Sequence, residues 1–183
     1  HLGDLDNLLA QDSYVRELNK ILELHQVSLS DLLVVTDKHP GYFTSLLAES
    51  KFKSNINIKV QHHRAHLQSI PHLMHFDKTY LGVIWDGTGF GDDASVWGGE
   101  FFLIDPKING NKKIHRVGHL RKFPLPGGEK AILQPWRTLL GLIYEIGDPH
   151  LAGRVQELTR GWSTDTEKII FRAISKGINS PYT

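Results

Sequence analysis

Cysteine is absent from this sequence, and that single omission excludes disulfides, thiolate zinc sites and a cysteine nucleophile together. Any metal has to be held by His, Asp or Glu. The lack of cysteine is compatible with a reducing, cytoplasmic compartment. A surplus of either charge is also missing: 21 lysines and arginines face 20 aspartates and glutamates, for a formal charge of +1. There is no broad footprint for nucleic acid or an anionic membrane, so partners are expected through specific sites. Long apolar runs are lacking too. Leu32-Leu33-Val34-Val35 and Leu81-Gly82-Val83-Ile84-Trp85 have strand length, far below the roughly 20 residues that span a bilayer. The start, His1-Leu2-Gly3-Asp4-Leu5-Asp6, has no initiator Met, basic stretch or apolar core and does not read as a signal peptide. Further sequence is expected on both sides.

What is present is a chain of 183 residues, 40% of them hydrophobic, enough for one sizeable core or two small lobes. Leu5, Leu8, Leu9, Val15, Leu18, Ile21, Leu22 and Leu24 recur mostly three and four apart, which predicts an amphipathic helix over 4–27. A strand at 32–36 follows, closed by Asp37-Lys38-His39-Pro40-Gly41. A helix over 42–50, a strand over 56–61 and a helix over 62–75, interrupted by Pro71, complete a β-α-β-α rhythm that favours a parallel sheet. The pattern then changes. Residues 80–85, 94–104 and 115–123 read as three strands of an antiparallel meander, and helices are predicted over 129–146, 149–160 and 164–176. The chain therefore divides into a first α/β lobe, 1–76, and the beginning of a second, 77–183.

Four constellations could carry chemistry. In Gln61-His62-His63-Arg64-Ala65-His66, directly after a strand, His62 and His66 are spaced i and i+4, so on a helix their imidazoles share a face and can close on one ion. The alternative is a His-rich helix start making ordinary hydrogen bonds. His63 occupies the position where a zincin protease needs its glutamate base, which argues against that enzyme class. In Asp86-Gly87-Thr88-Gly89-Phe90-Gly91-Asp92-Asp93, a strand ends in a loop with three glycines and three carboxylates. Glycines let backbone amides approach phosphate oxygens, and a carboxylate beside them can hold a divalent ion; a tight hairpin would use the same residues. Neither a Walker A loop nor a dinucleotide fingerprint is present. Pro124-Leu125-Pro126-Gly127-Gly128-Glu129-Lys130 leads into a helix whose first amides either bind an anion or are capped by Glu129. The Asp37–Gly41 turn sets Lys38 and His39 at the C-terminal end of a parallel strand, where α/β folds bind ligands, although it could be only a loop.

In order and spacing these segments resemble the HypF family of hydrogenase-maturation carbamoyltransferases. The resemblance runs through His1-Leu2-Gly3-Asp4-Leu5-Asp6-Asn7, Asp37-Lys38-His39-Pro40-Gly41-Tyr42, Val60-Gln61-His62-His63-Arg64-Ala65-His66 and Asp86–Asp93. It continues through Trp97-Gly98-Gly99-Glu100-Phe101, Leu125-Pro126-Gly127-Gly128 and Pro135-Trp136-Arg137. Antibiotic- and nodulation-type carbamoyltransferases and the TsaD family share the paired histidines but lack several other blocks. The resemblance implies α/β structure, part of an actin/hexokinase-like (ribonuclease H-like) ATPase fold with a mixed sheet and flanking helices. It implies transfer of a carbamoyl group, made from carbamoyl phosphate and ATP by way of carbamoyl-adenylate, to the C-terminal cysteine of HypE. It implies a divalent metal, zinc or iron, on His62, His66 and Asp86, with Mg2+ possible beside ATP. Gly87, Thr88 and Gly89 would lie near the nucleotide phosphates, with His39 and Lys38 near the substrate. Acylphosphatase, zinc-finger and YrdC-like modules precede this region in the family, and a Gly-rich segment and a further ligating Asp follow it. Lys38 stands where the family often has Leu, Glu129 where it has Asp, and Gln134 where it has Glu. A non-catalytic scaffold lobe that holds a partner, or a small-molecule O-carbamoyltransferase, are the competing readings.

Overall fold

A computed structural model describes residues 4–53, 55–73, 78–108, 111–148, 150–151 and 164–183. They fall into two compact units, His1–Gln68 and Ser69–Thr183. The division lies inside a helix; residues 76 and 77, the expected boundary, are outside the described residues.

The first unit opens with helix α1 (Leu8–Leu24). Its start is set by Asn7, whose side-chain oxygen accepts from the Ala10 amide at 2.9 Å, satisfying one of the amides a helix N-terminus leaves open. The helix is therefore shorter at both ends than the apolar spacing alone suggests. Strand β1 (Leu33–Asp37), helix α2 (Phe43–Lys51) and strand β2 (Ile56–Val60) then form a crossover unit. The strands run parallel, in register from Leu33↔Ile56 to Asp37↔Val60. Parallel strands need such a crossover, and α2 supplies it. Helix α3 (His62–Leu73) leaves β2 after one residue and continues past Pro71. Among the described residues of this unit, Ala48, Phe52 and Leu67 are the buried apolar side chains.

The second unit is an antiparallel meander, β3 (Tyr80–Phe90), β4 (Val96–Ile108) and β5 (Asn111–His119), paired in that order. Helices α4 (Glu129–Leu133), α5 (Pro135–Ile146) and α6 (Thr164–Ser175) follow. Strand β3 runs five residues beyond the predicted end at 85, and β5 begins four residues earlier than predicted. The predicted helix over 129–146 is two helices. Pro135 begins α5, and Gln134 before it is pushed to φ −127°, ψ 82°, because the proline ring disfavours helical geometry in the preceding residue. The helix expected over 149–160 lies outside the described residues except for 150 and 151. Phe102 and Ile104 of β4 are fully buried, and Leu140, Ile143, Ile170 and Ile174 pack α5 against α6. The loop before α4 is stapled to the last residues of the sequence. The Leu125 amide donates to the Pro181 carbonyl (2.8 Å), Gly127 to Asn179 (2.7 Å) and Thr183 to Phe123 (3.1 Å). Among the described residues no helix is long and apolar enough to cross a membrane.

Candidate functional site

The register of β1 with β2 builds the first half of the site. Because the strands are parallel and Asp37 pairs with Val60, their C-terminal ends finish side by side. The chain turns from β2 into α3 at Gln61. This side chain is buried, and its oxygen caps the new helix by accepting from the Arg64 amide at 2.9 Å, while its amide nitrogen lies 3.1 Å from Nδ1 of buried His63. With the helix start held in this way, His62 sits over the end of β1. Its Nδ1 is 2.7 Å from Oδ2 of Asp37. One turn on, His66 brings its Nε2 to 3.3 Å from Nε2 of His62, with the rings nearly perpendicular at 75°.

This pair fits a metal. Two nitrogens bound at ~2.0–2.1 Å to one tetrahedral ion are about 3.3 Å apart, the separation found here. Both imidazoles converge through Nε2. Asp37 was not singled out from the sequence, although a carboxylate ending a parallel strand beside the origin of a His-bearing helix was a signal that could have found it.

Lys38 and His39 hang from the same strand end. The Lys38 amide donates to the Val60 carbonyl at 2.9 Å, continuing the β1–β2 ladder. The His39 amide donates to Oδ1 of Asp37 at 2.7 Å, so one carboxylate serves both the turn and His62. The His39 ring stacks on Tyr42 with centroids 4.1 Å apart, and its Nδ1 accepts from the Gly41 amide at 3.1 Å. A neutral His39 therefore carries its proton on Nε2. Lys38, His39, His62 and His66 thus belong to one constellation organised around Asp37.

Asp86, Gly87, Thr88 and Gly89 belong to the second unit. They are not in a loop after a strand, as expected, but inside β3, where pairing with β4 shifts register between Trp85↔Gly99 and Gly89↔Trp97. Three residues of β3 oppose one of β4, so Asp86-Gly87-Thr88 bulges from the ladder. The Gly87 amide turns to Oδ1 of Asp86 at 2.7 Å. A Cβ at Gly87 would meet nothing within 4 Å, so packing does not explain the glycine there. Beside the bulge is a cavity of about 390 Å3 lined by Asp86, Gly87, Thr88, Glu100, Arg116 and Arg121, among others. Arg116 holds buried Glu100 in a bidentate pair, Nε to Oε2 at 2.5 Å and Nη2 to Oε1 at 3.0 Å, and lies over the Trp97 ring.

The true hairpin turn is 91–95, and its carboxylate is structural. Oδ1 of Asp93 accepts from the Ser95 hydroxyl (2.6 Å), the Trp97 indole (2.8 Å) and the Ser95 amide (3.1 Å). The Ser95 hydroxyl first, then its amide, Trp97 and nearby Lys122, hold this carboxyl well below the usual carboxylate range against the opposing effect of burial. The 124–130 turn leads into only five helical residues. The amides of Gly127, Gly128, Lys130 and Ala131 are bonded to backbone carbonyls, so those four are not open to an anion.

Parallel β-α-β-α structure followed by an antiparallel meander and helices is an architecture of the actin/hexokinase-like ATPase folds. Residues 82–183 match the family described as the second subdomain of the carbamoyltransferase Kae1-like domain, and residues 1–72 match the HypF Kae1-like domain. The chain belongs to the HypF family. It is 36% identical to the carbamoyltransferase HypF2 of Cupriavidus necator over 80% of its length, and 34% identical to the carbamoyltransferase HypF of Synechocystis over 79%. It spans 18% of each of those relatives. Its structure superposes on the crystal structure of full-length HypF in the phosphate- and nucleotide-bound form with a TM-score of 0.81 and 34% identity. That match covers all of this chain and 22% of the other.

Proposed function

We propose that this chain supplies part of the carbamoyl-transfer site of a HypF enzyme, which makes carbamoyl-adenylate from carbamoyl phosphate and ATP and passes the carbamoyl group to the C-terminal cysteine of HypE. The approach of His62 Nε2 to His66 Nε2 at 3.3 Å carries this reading, since that is the separation of two nitrogens bound to one tetrahedral ion. In the transfer, the HypE sulfur bonds to the carbamoyl carbon, the bond from that carbon to the AMP phosphate oxygen breaks, and AMP leaves with the electron pair. The thiol proton is released.

His62, His66 and Asp86 are the ligands of a divalent ion, zinc or iron. When bound, that ion supplies a Lewis acid that draws charge from the carbamoyl oxygen. Gly87, Thr88 and Gly89 present backbone to the nucleotide phosphates, with Mg2+ accompanying ATP; the open space at Gly87 and the cavity beside it, lined in part by Arg121, support this assignment. Lys38 adds a cation that offsets phosphate charge. His39, with its Nε2 proton, is a donor to the substrate.

The test is metal content by elemental analysis and zinc affinity by calorimetry, on a HypF-length protein carrying this chain, since the chain alone is expected to bind metal weakly and not to complete the transfer. Near-stoichiometric metal that is lost in His62→Ala and His66→Ala is expected, with ATP-dependent carbamoylation of HypE lost in parallel. Metal binding indifferent to both changes would remove the ligand assignment.

A further inference from the structure

We propose that Asp37 is a positioning residue whose carboxylate dictates which nitrogen of His62 is available to a metal. The inference rests on the reading of His62 and His66 as ligands. It concerns a residue that is not among the proposed ligands and lies outside the motif that suggested them.

A neutral imidazole carries one proton, and the hydrogen bond made by one ring nitrogen decides the role of the other. Oδ2 of Asp37 lies 2.7 Å from Nδ1 of His62, and a carboxylate in hydrogen-bonding range of a neutral imidazole accepts its proton-bearing nitrogen. The His62 proton is therefore on Nδ1, and Nε2 presents a lone pair toward His66. Nε2 of His66, 3.3 Å away, is the donor in the metal-free protein. Such carboxylate–histidine pairs fix both ring orientation and tautomer at metal sites.

Asp37 is itself held on three sides. Its carbonyl accepts from the hydroxyl of buried Ser45 at 3.1 Å, its backbone is locked in the parallel ladder, and its Oδ1 accepts from the His39 amide at 2.7 Å. Both carboxylate oxygens are thus acceptors at once. An asparagine has only one acceptor oxygen. With that oxygen kept on the His39 amide, its NH2 turns toward His62, and this moves the His62 proton to Nε2, where it blocks the metal-facing position. Asp37→Asn is nearly isosteric yet chemically wrong, which makes it the informative variant.

The experiment combines two readouts. The first is the long-range 1H–15N spectrum of the metal-free protein, which reports the tautomer of each histidine; it is recorded for wild type, Asp37→Asn and Asp37→Ala. The second is zinc affinity by calorimetry for the same proteins and for His62→Ala and His66→Ala. The expected result is an Nδ1–H tautomer for His62 in wild type, lost in both Asp37 variants. Zinc affinity should fall roughly 10–100-fold in those variants, the range for loss of such outer partners, while the histidine variants lose binding altogether. An Nε2–H tautomer in wild type overturns the proposal without need of any variant. Unchanged zinc affinity in both Asp37 variants, with binding abolished in the histidine variants, overturns it while leaving the metal site standing. Zinc affinity unchanged in His62→Ala and His66→Ala removes the metal site itself, and the proposal with it.

Discussion

Gly87 and Gly141 are glycines for opposite reasons. A Cβ on Gly141 would collide with the carbonyl oxygen of Pro124 and sit 3.2 Å from Cδ of Pro126, because α5 packs backbone to backbone on the loop before α4. Gly141→Ala is expected to destabilise the protein by about 1–3 kcal/mol, the usual cost of overpacking, despite the better helix propensity of alanine. Chemical denaturation measures it. At Gly87 the added methyl meets nothing, so Gly87→Ala should leave stability within about 0.5 kcal/mol of wild type. It should nevertheless weaken ATP binding, measured by calorimetry, if the open space there is for a phosphate. Asp93 carries a different residue-scale prediction. Its carboxyl is held below the ordinary range, first by the Ser95 hydroxyl, so it contributes stability that is fully present above the unfolded value of about 3.9. That contribution is lost as pH falls from there through the depressed folded value. The difference in Tm between wild type and Asp93→Asn should therefore be constant above about pH 5 and shrink below pH 4.

Between elements, the Glu100–Arg116 pair ties β4 to β5 on the cavity side of the meander. Glu100 is 2% exposed, and its oxygens take both guanidinium bonds and the Gly98 amide at 3.3 Å. Removing the cation alone leaves a buried carboxylate without its counter-charge. Arg116→Ala is expected to cost about 3–5 kcal/mol, whereas replacing both partners with apolar residues of similar volume should cost much less. Urea unfolding of the single and double variants distinguishes the two effects. The pair also explains why Trp97 is fixed, since its ring lies under Arg116 and its indole nitrogen donates to Asp93. The hairpin turn, β4 and β5 are thereby braced around the β3 bulge that carries Asp86, Gly87 and Thr88.

For the whole molecule, the proposed metal site makes stability depend on metal by mass action. Zinc at about 100 times its dissociation constant adds about 2.7 kcal/mol to the folded state, and for a chain of this size Tm rises by roughly 5–11 °C. Scanning calorimetry should show that rise in wild type and none in His62→Ala or His66→Ala. Asp37→Asn should show it only at zinc concentrations raised in proportion to its weaker affinity.

The order and type of the described elements were legible from apolar spacing, and so was the pairing of His62 with His66. An i, i+4 relation on a helix is local geometry, fixed by the helix itself. The family was legible from the order of short blocks along the chain. Most of what failed depends on neighbours distant in sequence. β3 reads as ending at Trp85 because glycine and aspartate mark turns, yet β4 keeps pairing with it to Phe90 across a bulge. The helix break at Gln134 was visible in Pro135 and was overridden by the apolar period around it. Asp37 was marked only as the end of a strand; its partner lies 25 residues away, and the parallel register, Asp37 opposite Val60, is what sets its carboxylate beside the first residue of α3. The sequence by itself determined which residue types could hold an ion and that two of them share a helix face. The tertiary structure decided which group stands against Nδ1 of His62, the carboxylate of Asp37, because that contact joins residues 25 apart in sequence.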